Sequence, residues 1–95
     1  MHFVIFCIDK AGTEDVRRTN QQAHVDYLAT KPIKVVVSGP LTTDDGSRAI
    51  GSMFIVEAAD RAEVEAFQSK DPLFKAGIWQ AIEVRAFNKR VDNRG

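Results

Sequence analysis

The stretch that decides the fold is His2-Phe3-Val4-Ile5-Phe6-Cys7-Ile8, a run in which every residue after the histidine is apolar. Successive side chains of a β-strand point to opposite faces, so a run of this kind is apolar on both faces. One face carries Val4, Phe6 and Ile8, and the other carries Phe3, Ile5 and Cys7. We predict a central strand in a sheet that is covered on two sides.

Three further strands are predicted downstream. Residues 33–41 form the second, and its Gly39-Pro40 pair lacks one backbone donor, which favours either an edge position or a strand that leaves the sheet at that pair. Residues 50–58 form the third strand, again apolar on both faces, and a polar hairpin loop containing Gly46 precedes it. Residues 78–87 form the fourth strand.

Two helices are predicted between these strands. The first begins near Glu14 and Asp15, whose charges suit a helix amino terminus, and it ends before Pro32. Its inward stripe is predicted to consist of Val16, Ala23 and Tyr27. The second helix opens with Asp60-Arg61-Ala62-Glu63, which has the pattern of a capping box.

The order β-α-β-β-α-β predicts an α+β fold, a ferredoxin-like antiparallel sheet with both helices on one face. Two helices cover only one side of a sheet, so the other apolar face would form an unusually large exposed patch. We therefore predict that two subunits pack sheet to sheet as a homodimer. Residues 1–88 are predicted to form a single domain, and residues 89–95 a polar carboxyl-terminal tail.

Composition narrows the possible partners. The 95 residues include 13 basic and 13 acidic side chains, so the formal net charge is zero. Without a basic field, binding to nucleic acid or to an anionic membrane is not predicted. The first strand is too short to cross a bilayer and lacks the features of a signal peptide, so a cytoplasmic location is expected. One cysteine and two widely spaced histidines form no metal-ligand pattern, and no metal is predicted.

The first helix carries a line of polar side chains beside its apolar stripe. Arg17, Gln21 and His24 project onto one flank at helical spacing. One interpretation is that they meet at the mouth of a cavity. The alternative is that Arg17 and His24 simply extend from the helix margin into water.

The pair Asp71-Pro72 predicts a corner. An aspartate can cap the free N–H groups of a helix, and proline is tolerated at the first helical position. Pro72 also disfavours a helical Asp71, so the second helix is expected to stop there. A carboxylate held at such a corner can be structural only, or it can support a functional partner from elsewhere in the chain.

The sequence resembles the YCII-related (YciI-like) family over nearly its whole length. The matching motifs are His24-x-x-Tyr27-Leu28, Ser38-Gly39-Pro40-Leu41, Gly51-Ser52, Asp71-Pro72 and Ala76-Gly77. The resemblance implies a dimeric α+β barrel, a His24–Asp71 dyad, and chemistry such as HCl elimination from a chlorinated hydroxyquinol. Relatives in the wider superfamily isomerise or oxygenate small cyclic compounds, often without a cofactor.

Two positions depart from the family pattern. Family members commonly have phenylalanine directly after Asp-Pro, whereas here Leu73 comes first and Phe74 next. Many also have a glycine before the second strand, where this chain has Lys31-Pro32-Ile33. Both positions are expected to border the pocket or its entrance.

The resemblance, taken with these residues, implies a cofactor-independent lyase or isomerase that acts on a small hydroxylated ring compound. Asp71 would orient His24, whose other ring nitrogen would transfer the proton. The predicted substrate-binding residues are Arg17, Ser38, Gly39, Pro40, Leu73 and Phe74. Two alternatives stay open: a dimer that binds a metabolite without converting it, and an interaction module that uses the basic tail.

Overall fold

The computed structural model describes residues 1–94. Its strands are β1 (His2–Asp9), β2 (Lys34–Thr42), β3 (Ala49–Glu57) and β4 (Trp79–Phe87), and its helices are α1 (Glu14–Ala29), α2 (Arg61–Ser69) and α3 (Pro72–Lys75). The four strands form an antiparallel sheet in the order β2-β3-β1-β4. The predicted ferredoxin-like fold is thereby confirmed, with α3 as a short addition.

The central strand β1 is covered on one face by this chain's own helices. Phe3, Ile5 and Cys7 are buried, and they belong to the hydrophobic core. On the opposite face, Val4 and Ile8 are half-buried, while Phe6 is 38% exposed. The single chain therefore covers only one of the two apolar faces, and the covering of the other stays a prediction.

The predicted inward stripe of α1 is wrong for Val16 and Ala23, whereas Tyr27 is half-buried and packs against the core. Val16 is 39% exposed and Ala23 is also exposed, whereas the helix residues that are buried are Arg17 and His24. These two lie seven positions apart, which places them on one side of a helix after two turns. The helix packs through this polar side because other elements supply partners for both polar side chains.

The ends of the helices follow their local sequence signals. Asp60 Oδ1 accepts a hydrogen bond from the Glu63 N–H at 3.0 Å, and Glu63 Oε2 accepts one from the Ala59 N–H at 3.2 Å. This reciprocal pair confirms the capping box, with the glutamate satisfying the N–H one residue before the cap. After α1, Lys31 has a φ of 55°, in the left-handed region that glycine adopts most easily.

Residues 88–94 follow β4 without forming a helix or strand, and they are exposed. Arg94 Nη1 donates a hydrogen bond of 3.1 Å to the backbone carbonyl of Val36 in β2. Residue 95, the last position of the predicted tail, lies outside the described residues. Among residues 1–94, no helix has both the length and the apolar character needed to cross a membrane.

Candidate functional site

Arg17 is held rigidly between α1 and the sheet. Its Nε and Nη2 atoms donate to the two carboxylate oxygens of Asp9, at 2.7 and 2.9 Å. The side chains are 9% and 10% exposed, so this is a two-pronged ion pair largely shielded from water. Nη2 also donates to the carbonyl of Gly51 at 3.0 Å and to Ser52 Oγ at 2.9 Å.

Gly51 allows the close strand contact at this point. A Cβ atom at position 51 would lie 2.2 Å from the carbonyl oxygen of Cys7 in β1, far inside van der Waals contact. The absence of a side chain therefore lets β3 approach β1 where the Gly51 carbonyl and Ser52 meet Arg17. Gly51 therefore has a packing role, and a glycine inside a predicted strand can indicate such a close backbone approach.

Asp9 was missed as a site residue, because in the sequence it starts the turn after β1. A signal was available nonetheless. The odd-numbered residues of β1 face the helices, so Asp9 continues the face formed by Phe3, Ile5 and Cys7. A carboxylate on a core-facing position requires a charged or hydrogen-bonding partner.

His24 and Asp71 are in direct contact. His24 Nδ1 lies 2.8 Å from Asp71 Oδ1 and 2.9 Å from Oδ2, although 47 positions separate the two residues. Asp71 is 1% exposed, and its Oδ1 also accepts the Leu73 N–H at 2.9 Å as the amino-terminal cap of α3. The hydrogen bond from the Leu73 N–H holds the Asp71 carboxylate in place, and the carboxylate in turn orients the His24 imidazole.

This contact assigns the two ring nitrogens different tasks. A carboxylate accepts hydrogen bonds, so Nδ1 is the nitrogen that carries the hydrogen towards Asp71. Within residues 1–94, Nε2 has no hydrogen-bond partner, and His24 lines a cavity. The ring meets Phe54 edge to face, with 6.0 Å between ring centroids. The imidazole is thus oriented on one side and available on the other.

The cavity lies between α1 and the strands β2 and β3, with a volume of about 190 Å³. Its walls combine a charged group, several hydrogen-bonding groups and apolar surface: Arg17, Gln21, His24, Val25, Leu28, Ser38, Gly39, Pro40, Ser52 and Phe54. A cavity of about 150 Å³ is enough to hold benzene. The size therefore suits one ring with small substituents.

Five of the predicted site residues line this one cavity: Arg17, His24, Ser38, Gly39 and Pro40. Asp71 lies behind His24. Leu73 and Phe74, which were also predicted to bind substrate, are not among the residues that line this cavity: Leu73 is fully buried in the core, and Phe74 is 41% exposed. The helical turn after Pro72 directs one side chain inwards and the next outwards.

Cys7 is not available as a nucleophile. Burial, followed by the charges of Asp71 and Asp9, raises the pKa of the Cys7 thiol to about 12, although Arg17 opposes the shift. The residue stays a neutral thiol at ordinary pH, outside the cavity lining. In the described part of the chain, no three His, Cys, Asp or Glu side chains are grouped so that they could hold a metal ion.

Comparison with known proteins adds a family and a fold. The family model of the YCII-related domain matches residues 1–88. The solved 5-chloro-2-hydroxyhydroquinone dehydrochlorinase of Burkholderia phenoliruptrix AC1100, in complex with 2,5-dihydroxybenzoquinone, is 36% identical with a TM-score of 0.84. The alignment covers 93% of this chain and 94% of that one.

A second solved structure, an antibiotic biosynthesis monooxygenase, has 15% identity and a TM-score of 0.59. The match covers 96% of this chain and 100% of that one, and at this identity it shows the shared fold alone. No curated protein matches the chain. The architecture is therefore supported by two solved structures, and one of them is a dehydrochlorinase.

Proposed function

Since the chain belongs to the YCII-related domain family, we propose that it is a cofactor-independent lyase or isomerase acting on a small hydroxylated ring compound. The observation that carries this proposal is the 2.8 Å contact between His24 Nδ1 and Asp71, in a histidine that lines the cavity and whose Nε2 has no hydrogen-bond partner in the described part of the chain. The similarity to the dehydrochlorinase supports HCl elimination from a chlorinated hydroxyquinol as the specific reaction.

The proposed elimination proceeds by proton transfers alone. His24 Nε2 removes the proton of the hydroxyl next to the chlorine-bearing carbon, and the protonated imidazole returns that proton to the carbon, which gives a ketone. The imidazole, neutral again, then takes the proton of the hydroxyl para to the new ketone, so that a second carbonyl forms and chloride leaves; this proton passes from the imidazole to water. The ring loses HCl overall, the carbon that bore chlorine gains hydrogen, and the hydroquinone becomes a quinone, so no external oxidant is required.

The residues around the cavity have different roles in this scheme. Arg17 stabilises the developing phenolate or enolate by its positive charge. Ser38 donates a hydrogen bond to a ring hydroxyl from the β2 side. Gly39 and Pro40 form the wall against which the ring packs. Asp71 keeps the imidazole oriented and stabilises its protonated form.

Chloride release tests the reaction. We expect the protein to convert 5-chloro-2-hydroxyhydroquinone, the substrate named for the similar dehydrochlorinase, with one chloride ion released for each quinone formed. A chloride electrode and the quinone absorbance follow the two products independently. If mass spectrometry recovers the chlorinated compound intact after prolonged incubation with stoichiometric protein, the binding-protein alternative replaces the enzyme.

We also propose that two subunits pack through the open sheet face. This face carries Val4, Phe6, Ile8, Met53 and Ile55, which are half-buried or exposed in the single chain. Apolar surface of this extent is typical of an interface. The proposal is independent of the chemistry assigned to His24.

The oligomeric state is expected to change when charge is placed on that face. Wild-type protein should be a dimer by light scattering at micromolar concentration, and Phe6→Asp should be monomeric, because a buried unpaired carboxylate disfavours association. Val16→Asp is the matched control, since Val16 is 39% exposed on the outer side of α1 and Phe6 is 38% exposed. A dimer in both variants, or a wild-type monomer, would contradict the proposed interface.

A further inference from the structure

Lys31 has a strained backbone at the carboxyl end of α1. Its φ of 55° lies in the left-handed region, where a Cβ atom is crowded, and its N–H donates a hydrogen bond of 3.0 Å to the Leu28 carbonyl. Glycine is the usual residue at this position after a helix. Pro32, which follows, favours extended backbone at position 31 and does not relieve the strain. The backbone geometry by itself therefore favours glycine, and the lysine side chain needs a separate explanation.

The side chain of Lys31 lines a second cavity, between the end of α1 and the start of β2. This cavity has a volume of about 580 Å³, and its lining consists of Leu28, Lys31, Ile33, Lys34 and Val35. Leu28 also lines the cavity beside His24, so the two cavities adjoin through one side chain. Three of the lining residues are apolar and the other two are cations. The second cavity therefore suits a molecule that has an apolar part and a negative charge.

The two lysines at this cavity differ in their partners. Lys34 Nζ lies 3.0 Å from Glu57 Oε2, so its charge is already paired. Lys31 is exposed, and its Nζ has neither an ion-pair partner nor a hydrogen-bond acceptor within residues 1–94. Beside it, Ile33 is 6% exposed and belongs to the hydrophobic core, which gives the cavity an apolar wall. An unpaired ammonium next to apolar surface attracts an anion whose hydrocarbon part covers that surface.

We propose that the second cavity is a binding site for an amphiphilic carboxylate. Lys31 pairs with the carboxylate, and the side chains of Leu28, Ile33 and Val35 contact the apolar part of the ligand. The site goes beyond the proposed function, because it assigns a ligand class to residues that take no part in proton transfer. It also explains a lysine at a position where the backbone favours glycine.

Binding of 4-phenylbutyrate, followed by NMR titration of the backbone amides, tests the site. Wild-type protein should bind 4-phenylbutyrate about 2- to 5-fold more tightly than 4-phenylbutanamide, its uncharged counterpart, because an exposed ion pair contributes modestly. This preference should diminish as salt is added, since salt screens exposed charges. The amide signals that shift should include those of Leu28, Lys31 and Ile33.

Lys31→Gly separates binding from folding. Glycine adopts a φ of 55° without crowding from a Cβ atom, so the melting temperature of this variant should be no lower than that of wild type. The variant should nevertheless lose the preference for the carboxylate. Lys31→Arg keeps the positive charge and should keep the preference. Lys10→Gly is the matched control, because Lys10 is exposed between β1 and α1 and does not line the second cavity.

Equal affinities of wild-type protein for the acid and the amide would overturn the site, as would an unchanged preference in Lys31→Gly. Amide shifts confined to the cavity beside His24 would overturn it too. The comparison of the two ligands needs only wild-type protein, so it holds even if a variant fails to fold. Chloride release is measured separately: Lys31-dependent binding without chloride release would reject the proposed reaction and leave this site standing.

Discussion

Replacement of His24 by alanine is expected to lower the rate of chloride release by roughly 10²–10⁴-fold, the usual contribution of a positioned acid–base group. The imidazole is the proposed carrier of both protons, and His24 is the histidine among the described residues that line the cavity. The measurement is kcat and KM for 5-chloro-2-hydroxyhydroquinone with protein whose fold is verified by circular dichroism. The loss should lie mainly in kcat, because the lost interaction belongs to the transition state.

Asp71→Asn should produce a loss of the same order without unfolding the corner. Asparagine retains an oxygen that can accept the Leu73 N–H, so the cap of α3 is preserved. It no longer provides a carboxylate to orient Nδ1 and to stabilise the protonated ring. His2→Ala is the control, because it removes the second histidine of the chain. His2 lies at the start of β1, with its Nε2 atom 4.0 Å from Glu57 Oε2. Full turnover by both site variants would remove the dyad from the mechanism.

Asp9→Ala is expected to reduce the free energy of unfolding by about 3–5 kcal/mol, as breaking a buried ion pair does when one charge stays behind. The substitution leaves the Arg17 guanidinium, with a side chain only 9% exposed, without its carboxylate. For a domain of this size the melting temperature should fall by more than about 10 °C. Urea unfolding at a fixed protein concentration gives the free energy, since dimerisation would make stability depend on concentration.

The same helix offers a control for this ion pair. Arg18 and Asp15 form a pair at 2.6 Å whose side chains are 75% and 89% exposed. Asp15→Ala should leave the unfolding midpoint nearly unchanged, because exposed pairs contribute little after solvent screening and side-chain entropy. If Asp9→Ala and Asp15→Ala reduced the free energy of unfolding by similar amounts, burial would not make the Asp9–Arg17 pair more important for stability.

Much of the fold was predictable because its signals are local. The apolar run in β1 predicted a central strand, Gly39-Pro40 predicted the edge position of β2, and Asp60 with Glu63 predicted the start of α2. Each of these depends on strand alternation or on a backbone group a few residues away. The corner at Asp71 is of the same kind, because its cap and the following proline are adjacent in sequence.

The errors occurred where a side chain's environment is made by distant elements. Val16 was expected inside and is exposed, since α1 turns its polar side to the sheet. Leu73 and Phe74 were expected at the cavity, and one is in the core while the other is at the surface. Helical periodicity ranks the faces of a helix by their hydrophobicity. A face that buries polar side chains is therefore wrongly assigned to solvent.

The sequence by itself determined the order of strands and helices, the ferredoxin-like class and the corner that holds Asp71, because strand alternation and helix caps act over a few residues. Only the tertiary structure decided that α1 buries Arg17 and His24, and that Asp9 and Ser52 meet Arg17 beside the cavity. The physical reason is that a charged group is stable in the interior only when its partner is present. Those partners come from strands and helices that are distant in sequence, so no pattern among neighbouring residues predicts them.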